Sequence, residues 1–322
     1  GFGTATAAAI KRPEVLLQAE KELAFIEKNQ IICYFLTDEN YPKRLKECSD
    51  APVLLYFKGS ADLNVSRIIS IVGTRHATEY GRAMTDELVH TLSLSIPNLL
   101  IVSGLAYGID VCAHRAALKV NLPTVGVLAH GLDRIYPPSH RSVAVDMLDR
   151  GGLLTEFRSG TEPDKPNFVR RNRIVAGMAD ATVVIESAEK GGSLITADLA
   201  FSYGRDVYAF PGRVNDLHSK GCNALIRQNK AGLITSASDL ISALCWDINE
   251  AASPVPVQTE LFFGEDERTA PIITLLRERG EMHIDQLAVA LNLPVRELSS
   301  LLFELEMNGL IRTLPGNIYR LA

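Results

Sequence analysis

Short hydrophobic stretches alternate with amphipathic ones through the middle of the chain. Six of the stretches are rich in β-branched residues and end in glycine or a polar turn, as buried strands do. In chain order they are RIISIVG, NLLIVSG, PTVGVLA, GLLTEF, ATVVIE and DVYAFPG. Helical patterns such as TEYGRAMTDELVHTL and SLITADLAFSYG lie between them. The alternation predicts an α/β domain over residues 51–247, a parallel sheet with helices on both faces. Such sheets bind ligands beyond the carboxyl ends of their strands.

The C-terminal part of the chain has a different pattern. Residues 248–268 contain PVP and are rich in acids, as linkers are, and residues 269–322 read as three helices followed by a short hairpin. That order predicts a winged helix. Its third helix places Glu297, Glu304 and Glu306 where a DNA-reading helix needs cations. Because phosphates would repel these carboxylates, we expect the helix to contact protein rather than DNA.

The first fifty residues predict a smaller segment. The opening GFGTATAAAI has the form of the second half of a helix-hairpin-helix, within a partial SAM-like segment over residues 1–50. A simple helix cap explains the same residues equally well. The chain begins with glycine, in what reads as the middle of an element, so we expect further residues to precede it.

Composition and charge limit the class of protein. Of 322 residues, 47% are hydrophobic and 22% are charged, as in soluble globular proteins. No apolar run approaches the roughly 20 residues that cross a bilayer, so we expect a cytoplasmic protein without membrane contact. The five cysteines show neither a CxxC pair nor zinc-ligand spacing, so we expect no metal. We also expect no cofactor. Because the net charge is −5, a polyanion would have to be held by a local patch.

Three glycine-containing turns follow predicted strands and open predicted helices. Small residues there let backbone amides approach a phosphate, and the following helix presents its positive N-terminus. The candidate anion-binding residues of these turns are Gly73, Thr74, Arg75, Gly104, Gly191, Gly192 and Ser193. For the third turn, an ordinary capped helix start is an equal alternative. None of the turns matches GxxxxGK[ST] or GxGxxG, so ATP hydrolysis and dinucleotide binding are unsupported.

The run PNFVRRNRIVAG concentrates cations in an acidic chain. Planar guanidinium groups suit phosphate, and an exposed phenylalanine among cations suits base stacking. The candidate residues of this run are Phe168, Arg170, Arg171, Asn172 and Arg173. A solvated charged face is the alternative interpretation.

Helical spacing limits what these arginines can do together. Successive helical residues point about 100° apart, so Arg170, Arg171 and Arg173 cannot all face one ligand. We expect at least one of them to pair with a carboxylate such as Asp180 or Glu186.

Two further pairs of residues favour structural roles. Asp110 and His114 are four residues apart at a predicted helix start and are expected to pair with each other. Asp133 and Tyr136 are expected to hold their own loop, although the tyrosine could also stack on a ligand.

Together these loops resemble one family, the DNA-processing protein A (DprA, also called Smf) group of bacterial DNA-uptake proteins. The resemblance covers about residues 52–240, and the turn EKGGS and the run IRQNKAG depart from the family's usual forms. The matching runs are GTRHATEYG, SGLAYGIDVCAHRAAL, GLDRIYPPSH, FVRRNRIVAGMADATVVIESAEKGGSLITADLAFSYGRDVYAFPG and GCNALI.

The resemblance implies an extended Rossmann-type domain without enzymatic turnover. It implies binding of single-stranded DNA, protection of that DNA from nucleases and its transfer to the RecA recombinase in natural transformation. It also implies a homodimer, for which the run NALIRQNKAGLI (223–234) is the candidate surface. The residues that match the family's DNA pocket are Arg75, Lys165, Phe168, Arg171, Asn172, Arg173, Gly191, Gly192 and Ser193. We expect Lys165 and Phe168 to lie just before the helix, with Arg75 facing them.

Two other functions remain open at this point. GGSLITA is similar to the Gly-Gly-x-x-Thr turn of nucleotide phosphoribohydrolases, and an enzyme that cleaves nucleoside monophosphates would use Glu186 and Arg173 beside the ribose. A winged-helix transcription regulator would bind duplex DNA by sequence, against which the acidic third helix argues.

Overall fold

The computed structural model describes residues 13–246, 269–314 and 317–321. The chain divides into two compact units, residues 1–248 and residues 249–322. Each unit has its own hydrophobic core and is described by itself.

The first unit is built on one sheet of nine strands. They are β1 (Ile32–Phe35), β2 (Leu54–Gly59), β3 (Arg67–Val72), β4 (Leu99–Ser103), β5 (Thr124–Val127), β6 (Gly152–Thr155), β7 (Ala181–Val184), β8 (Asp206–Ala209) and β9 (Gly232–Leu233). Their order is β1-β2-β6-β5-β4-β3-β7-β8-β9. Strands β3 to β9 pair in parallel, whereas β1 and β2 form an antiparallel edge. The predicted parallel sheet is confirmed, and the antiparallel edge lies outside the six predicted strands.

Helices cover both faces of this sheet. Those described in the first unit are α1 (Pro13–Lys28), α2 (Lys43–Lys46), α3 (Glu79–Ser95), α4 (Ile109–Lys119), α5 (Arg141–Arg150), α6 (Lys165–Gly177), α7 (Gly192–Ser202), α8 (Lys220–Arg227) and α9 (Ala237–Ala243), with a 3₁₀ turn at Pro138–His140. Side chains of α3, α4 and α9 pack on one face of the sheet, and those of α2, α6, α7 and α8 pack on the other.

The central strands are hydrophobic on both faces because both faces are covered. Along β3, Ile69 and Ile71 pack with α3 and α4, while Ile68 and Val72 pack with α6 and α7. This two-sided burial explains why the predicted strands read as continuous apolar runs rather than as alternating ones.

The sequence predicted a separate segment over residues 1–50, but part of this region belongs to the sheet. Strand β1 pairs with β2 and so belongs to the sheet, which therefore begins before residue 51. Helix α1 has no buried residue and contacts the loop after β6, where Glu22 accepts hydrogen bonds from the amide and the hydroxyl of Ser159. The opening GFGTATAAAI lies outside the described residues.

The second unit has the predicted winged-helix order. It contains α10 (Ala270–Arg279), β10 (Met282–His283), α11 (Ile284–Leu291), α12 (Val295–Met307), β11 (Ile311–Leu314) and β12 (Ile318–Leu321). The strands form a small sheet in the order β10-β12-β11, and the three helices share one core with it. In the described parts of both units, no helix combines the length and the apolar character needed to cross a membrane.

Candidate nucleic-acid interface

Strands that follow β3 in the chain lie on both sides of it in the sheet. The chain passes through β4, β5 and β6 on one side and then returns to β7 on the other side of β3. At such a switch point, the loops after neighbouring strands diverge and leave a crevice at the carboxyl end of the sheet. The loops after β3, β4 and β7 are the three glycine turns, so the topology brings them to one place.

A pocket of about 660 Å³ occupies this crevice. Eleven of the twelve predicted contact residues line it, namely Gly73, Thr74, Arg75, Gly104, Lys165, Phe168, Arg171, Asn172, Gly191, Gly192 and Ser193. Arg173 is not among the lining residues. Four separate segments of the chain therefore meet around one cavity.

The charged side chains that line the pocket are mainly cationic. Arg75, Lys165 and Lys190 are exposed at its wall, and Arg171 is buried in it. Among the lining residues that the structure describes, Asp110 is the one carboxylate. The excess of positive charge suits a ligand with more than one phosphate.

The pocket also contains an aromatic surface. The rings of Phe168 and Tyr136 lie 5.8 Å apart at their centres, inclined by 58°. The guanidinium carbon of Arg75 lies 5.2 Å from the centre of the Phe168 ring. A cation and two aromatic rings therefore share one wall, an arrangement that can hold a phosphate beside a stacked base.

Helix α6 begins earlier than the sequence indicated. Asp164 caps the helix through a hydrogen bond from the Asn167 amide, and Lys165 is the first helical residue. The expectation that Lys165 and Phe168 precede the helix is wrong, since both lie in its first turn. The reason is local: an aspartate cap followed by Pro166 is a strong helix start that the arginine-rich run obscured.

Arg171 forms part of the pocket floor. Its side chain is 3% exposed and donates a hydrogen bond to the carbonyl oxygen of Val127, at the end of β5. Burial lowers the pKa of Arg171 to about 10, with Asp110 acting in the opposite direction, so the guanidinium stays charged near neutral pH. Burial likewise raises the pKa of Asp110, against the effect of Arg171.

The other two arginines of the cluster are ion-paired elsewhere. Glu156, just after β6, accepts from Arg170 at 2.8 Å and from Arg173 at 2.5 Å. The expectation that at least one arginine is structural is confirmed. The suggested partners were wrong, because Asp180 binds Arg44 at 2.6 Å and Glu186 accepts from Thr78.

Hydrogen bonds fasten the glycine turns to one another. The buried carboxylate of Glu186 accepts from the amide and the hydroxyl of Thr78, at 2.9 and 2.5 Å. The Thr74 amide donates to the Glu186 carbonyl at 2.8 Å, and the Ile109 amide donates to the Thr74 carbonyl at 3.1 Å. The first turn is thus tied to both of the others, which orders the pocket before any ligand arrives.

His114 makes a different contact from the predicted one. Its Nδ1 lies 2.7 Å from the Thr124 hydroxyl, which itself donates to the Ile101 carbonyl. The expected pairing with Asp110 is therefore wrong, because α4 turns His114 into the sheet. Burial, then Arg171 and His140, lower the pKa of His114 to about 3.

This neutral histidine makes stability depend on pH. Its pKa is lower in the folded chain, so only the unfolded chain takes up a proton as the pH falls below about 6.5, and stability is lost from there down to about pH 3. The expected slope from this group is roughly 1.4 kcal/mol per pH unit. Urea unfolding of the wild type and His114→Gln across acidic pH measures it. The variant should show the shallower dependence, and equal slopes would contradict the assignment.

The sequence analysis did not identify Lys190 as a pocket residue, and it treated Tyr136 mainly as a residue that holds its own loop. Lys190 lies in the third glycine turn, and Tyr136 lies beside Phe168. Their signal was position alone: both are in loops at the carboxyl end of the sheet. Asp133 does hold its loop, since it accepts a hydrogen bond from the Gly160 amide at 2.9 Å.

No group of three or more metal-binding side chains occurs within residues 13–246, 269–314 and 317–321. All five cysteines are free thiols.

Fold and site define an open α/β protein of Rossmann type, with a ligand crevice at its switch point, joined to a winged-helix unit. A family model described as DNA recombination-mediator protein A matches residues 31–245, and a DprA winged-helix model matches residues 251–317. The chain belongs to the DNA recombination-mediator protein A family.

Relatives and solved structures agree with this membership. Protein Smf of Escherichia coli is 33% identical over 322 residues, which cover 95% of this chain and 84% of that protein. The crystal structure of DNA processing protein A from Streptococcus pneumoniae is similar with a TM-score of 0.64 and 36% identity, over 72% of this chain and 82% of that one. The structure of DNA processing protein A from Helicobacter pylori, studied for its unique single-stranded DNA binding mode, is similar with a TM-score of 0.61 and 30% identity. The similarity covers 68% of this chain and 97% of that one.

Proposed function

We propose that this protein binds single-stranded DNA in the pocket at the switch point, protects it and passes it to the RecA recombinase during natural transformation. The observation that carries the proposal is the shared wall of Arg75, Phe168 and Tyr136, flanked by three further cations. The similarity to the Helicobacter pylori protein, whose single-stranded DNA binding mode has been studied, supports the choice of ligand.

The pocket provides separate groups for the two parts of a nucleotide. Arg75 and Lys165 are exposed and can reach phosphates. The amides of Gly192 and Ser193 open α7 ahead of the Leu194 amide, which donates to the carbonyl of the cap residue Gly191, so these two can face an anion. Phe168 offers its ring to a base without reading the base edge. Binding should therefore be strong for single strands and tolerant of sequence.

Arg75→Ala is expected to weaken binding to all single strands alike. The change removes an exposed cation that faces the pocket, so affinity should fall about tenfold. The slope of log affinity against log salt should also flatten by about 0.7, the value for one phosphate of a single strand. Fluorescence anisotropy with oligothymidylate and mixed-sequence strands across a salt series measures both.

Arg150→Ala is the matched control for this change. Arg150 is an exposed arginine at the end of α5, two residues before β6. It therefore lies at the amino ends of the strands, whereas the pocket lies at their carboxyl ends. An Arg75→Ala protein that keeps wild-type affinity and slope would overturn the assignment. Equal affinity of the wild type for duplex and single strands would overturn the proposed ligand.

The structure does not place together the two residues that a nucleoside-monophosphate-cleaving enzyme would need. Such an enzyme needs Glu186 and Arg173 beside one sugar, but Thr78 holds Glu186 and Glu156 holds Arg173. Neither residue is among those that line the pocket. We therefore propose a binding protein without turnover, and release of adenine from AMP would contradict this.

The winged-helix unit is proposed to contact protein. On α12, Phe303 and Met307 are exposed one turn apart, with Glu304 and Glu306 beside them. An apolar ridge among carboxylates is a poor surface for a DNA groove, so sequence-specific regulation of transcription is not proposed.

A homodimer is proposed from the family resemblance, with a smaller surface than the run 223–234 indicated. Three of its apolar residues pack inside their own domain, namely Leu225, Ala231 and Ile234. Leu233 remains 54% exposed, on the edge strand β9. An exposed edge with an apolar side chain can pair with a second copy.

A further inference from the structure

A second cleft, of about 480 Å³, lies beside the pocket and shares Arg75 with it. We call it the arginine cleft and define it by its charged and aromatic residues. These are Arg75, His76, Arg82, Tyr107, Arg115 and His140. It is bounded by the first glycine turn, by α3 and by the first half of α4.

The three arginines of this cleft have no carboxylate partner among the described residues. Arg82 and Arg115 are exposed, and within the described parts of the chain neither of them, nor Arg75, forms an ion pair. Arg82 uses one donor on the carbonyl oxygen of Ala77, at 2.8 Å. Guanidinium groups that converge on one cleft without carboxylates repel each other, and a bound polyanion would relieve that repulsion.

Cys112 also lines the cleft, and its surroundings hold charges of both signs. Burial raises the pKa of its thiol, Arg82 and Arg115 act against this, and Asp86 and Asp110 act with it. Among the described residues that line the cleft itself there are three arginines and no carboxylate.

Tyr107 supplies an aromatic surface in the cleft. It is 47% exposed, and its ring meets the ring of the buried His140 edge to face at 5.0 Å. His140 is fixed in turn, because its Nδ1 donates to the Leu105 carbonyl at 2.9 Å. A supported and half-exposed ring beside cations repeats the combination found in the pocket, and such rings stack bases.

We infer that the arginine cleft is a second nucleotide subsite, in which Arg82 and Arg115 hold a phosphate and Tyr107 stacks a base. It rests on the proposed single-stranded DNA binding and extends it. Because Arg75 borders both cavities, one strand that passes this residue can occupy the two in succession. Strands long enough to reach the cleft should then bind more tightly than strands that fill only the pocket.

The test is Arg115→Ala, with binding measured by fluorescence anisotropy over a series of oligothymidylates of increasing length. Long strands should lose about five- to tenfold in affinity, with a salt slope flatter by about 0.7. The shortest strands that still bind should be unaffected. Lys119→Ala removes an exposed cation one turn further along α4 that does not line the cleft, and it should match the wild type throughout. Tyr107→Ala should weaken only long strands, with the slope unchanged.

The outcomes separate the subsite from the pocket. If Arg115→Ala binds every length as the wild type does while Arg75→Ala still weakens binding, the subsite is refuted and the proposed function stands. An equal loss at all lengths would place Arg115 in the pocket instead and also refutes the subsite. If Arg75→Ala, Phe168→Ala and Arg115→Ala all leave binding unchanged, the proposed function itself fails.

Discussion

Phe168→Ala is expected to reduce the affinity for single-stranded DNA by about 10- to 100-fold, with the salt slope unchanged. Stacking of a base on an aromatic ring contributes about 1–3 kcal/mol, and the substitution removes that ring without removing a charge. The loss should exceed that of an average stacking residue, because the ring also packs beside two other side chains. Its centre lies 5.2 Å from the guanidinium carbon of Arg75 and 5.8 Å from the centre of the Tyr136 ring. Anisotropy titrations across a salt series measure affinity and slope together.

The chain offers a matched control in Phe201. This phenylalanine is 53% exposed near the end of α7, away from the pocket, and Phe201→Ala should bind like the wild type. Phe168→Trp should retain most of the affinity, since the indole ring also stacks. Wild-type affinity of Phe168→Ala would remove stacking from the mechanism. A flattened slope in that variant would show that it had displaced a cation instead.

Gly108→Ala is expected to cause the largest loss of stability among the changes to the site. Gly108 precedes α4 with φ +77° and ψ −127°, a conformation that residues with a side chain rarely adopt. An added methyl would also lie 2.6 Å from the carbonyl carbon of Arg75 and 2.8 Å from its Cα. Because those atoms are backbone, no rotamer change relieves the overlap. The free energy of unfolding should fall by about 3 kcal/mol or more.

The same change should also impair DNA binding. The overlap pushes against the segment that carries Arg75, so the folded fraction should lose about tenfold in affinity for single strands, as expected of a displaced cation. Urea unfolding gives the stability, and titration at a temperature where the variant stays folded gives the affinity.

Gly204→Ala separates backbone strain from overlap. Gly204 also has a positive φ, +68°, but an added methyl there meets nothing within 4 Å. Its substitution should cost about 1–2 kcal/mol and leave DNA binding unchanged. Equal losses of stability for Gly108→Ala and Gly204→Ala would show that the close approach to Arg75 has no energetic weight.

Much of the architecture was predictable because its causes are local. The six predicted strands and the main helices follow from runs of buried hydrophobic residues, and the winged helix follows from three amphipathic patterns and a hairpin. The antiparallel edge of β1 and β2 was not predicted. Its residues show mixed burial, so the apolar pattern that marks a fully buried strand is weak there.

The candidate site was predictable in its members but not in its detail. Arg171 lies in the pocket floor while Arg170 and Arg173 bind Glu156, a partner that is distant in sequence. Periodicity shows that three arginines on one helix diverge, but it does not show which of them faces a cavity. Lys190 and Tyr136 had no pattern beyond their place in loops.

The order of strands and helices, the three glycine turns and the concentration of arginines in α6 follow from the amino-acid sequence alone, because hydrophobic periodicity and turn chemistry act over a few residues. Which of these features form a site depends on the tertiary structure. Only the reversal of direction at β3 places the turns after β3, β4 and β7 together, and only the packing of α6 on the sheet chooses which cations are buried, paired or free. Pairing between distant segments depends on the whole arrangement of the chain, and no local pattern encodes it.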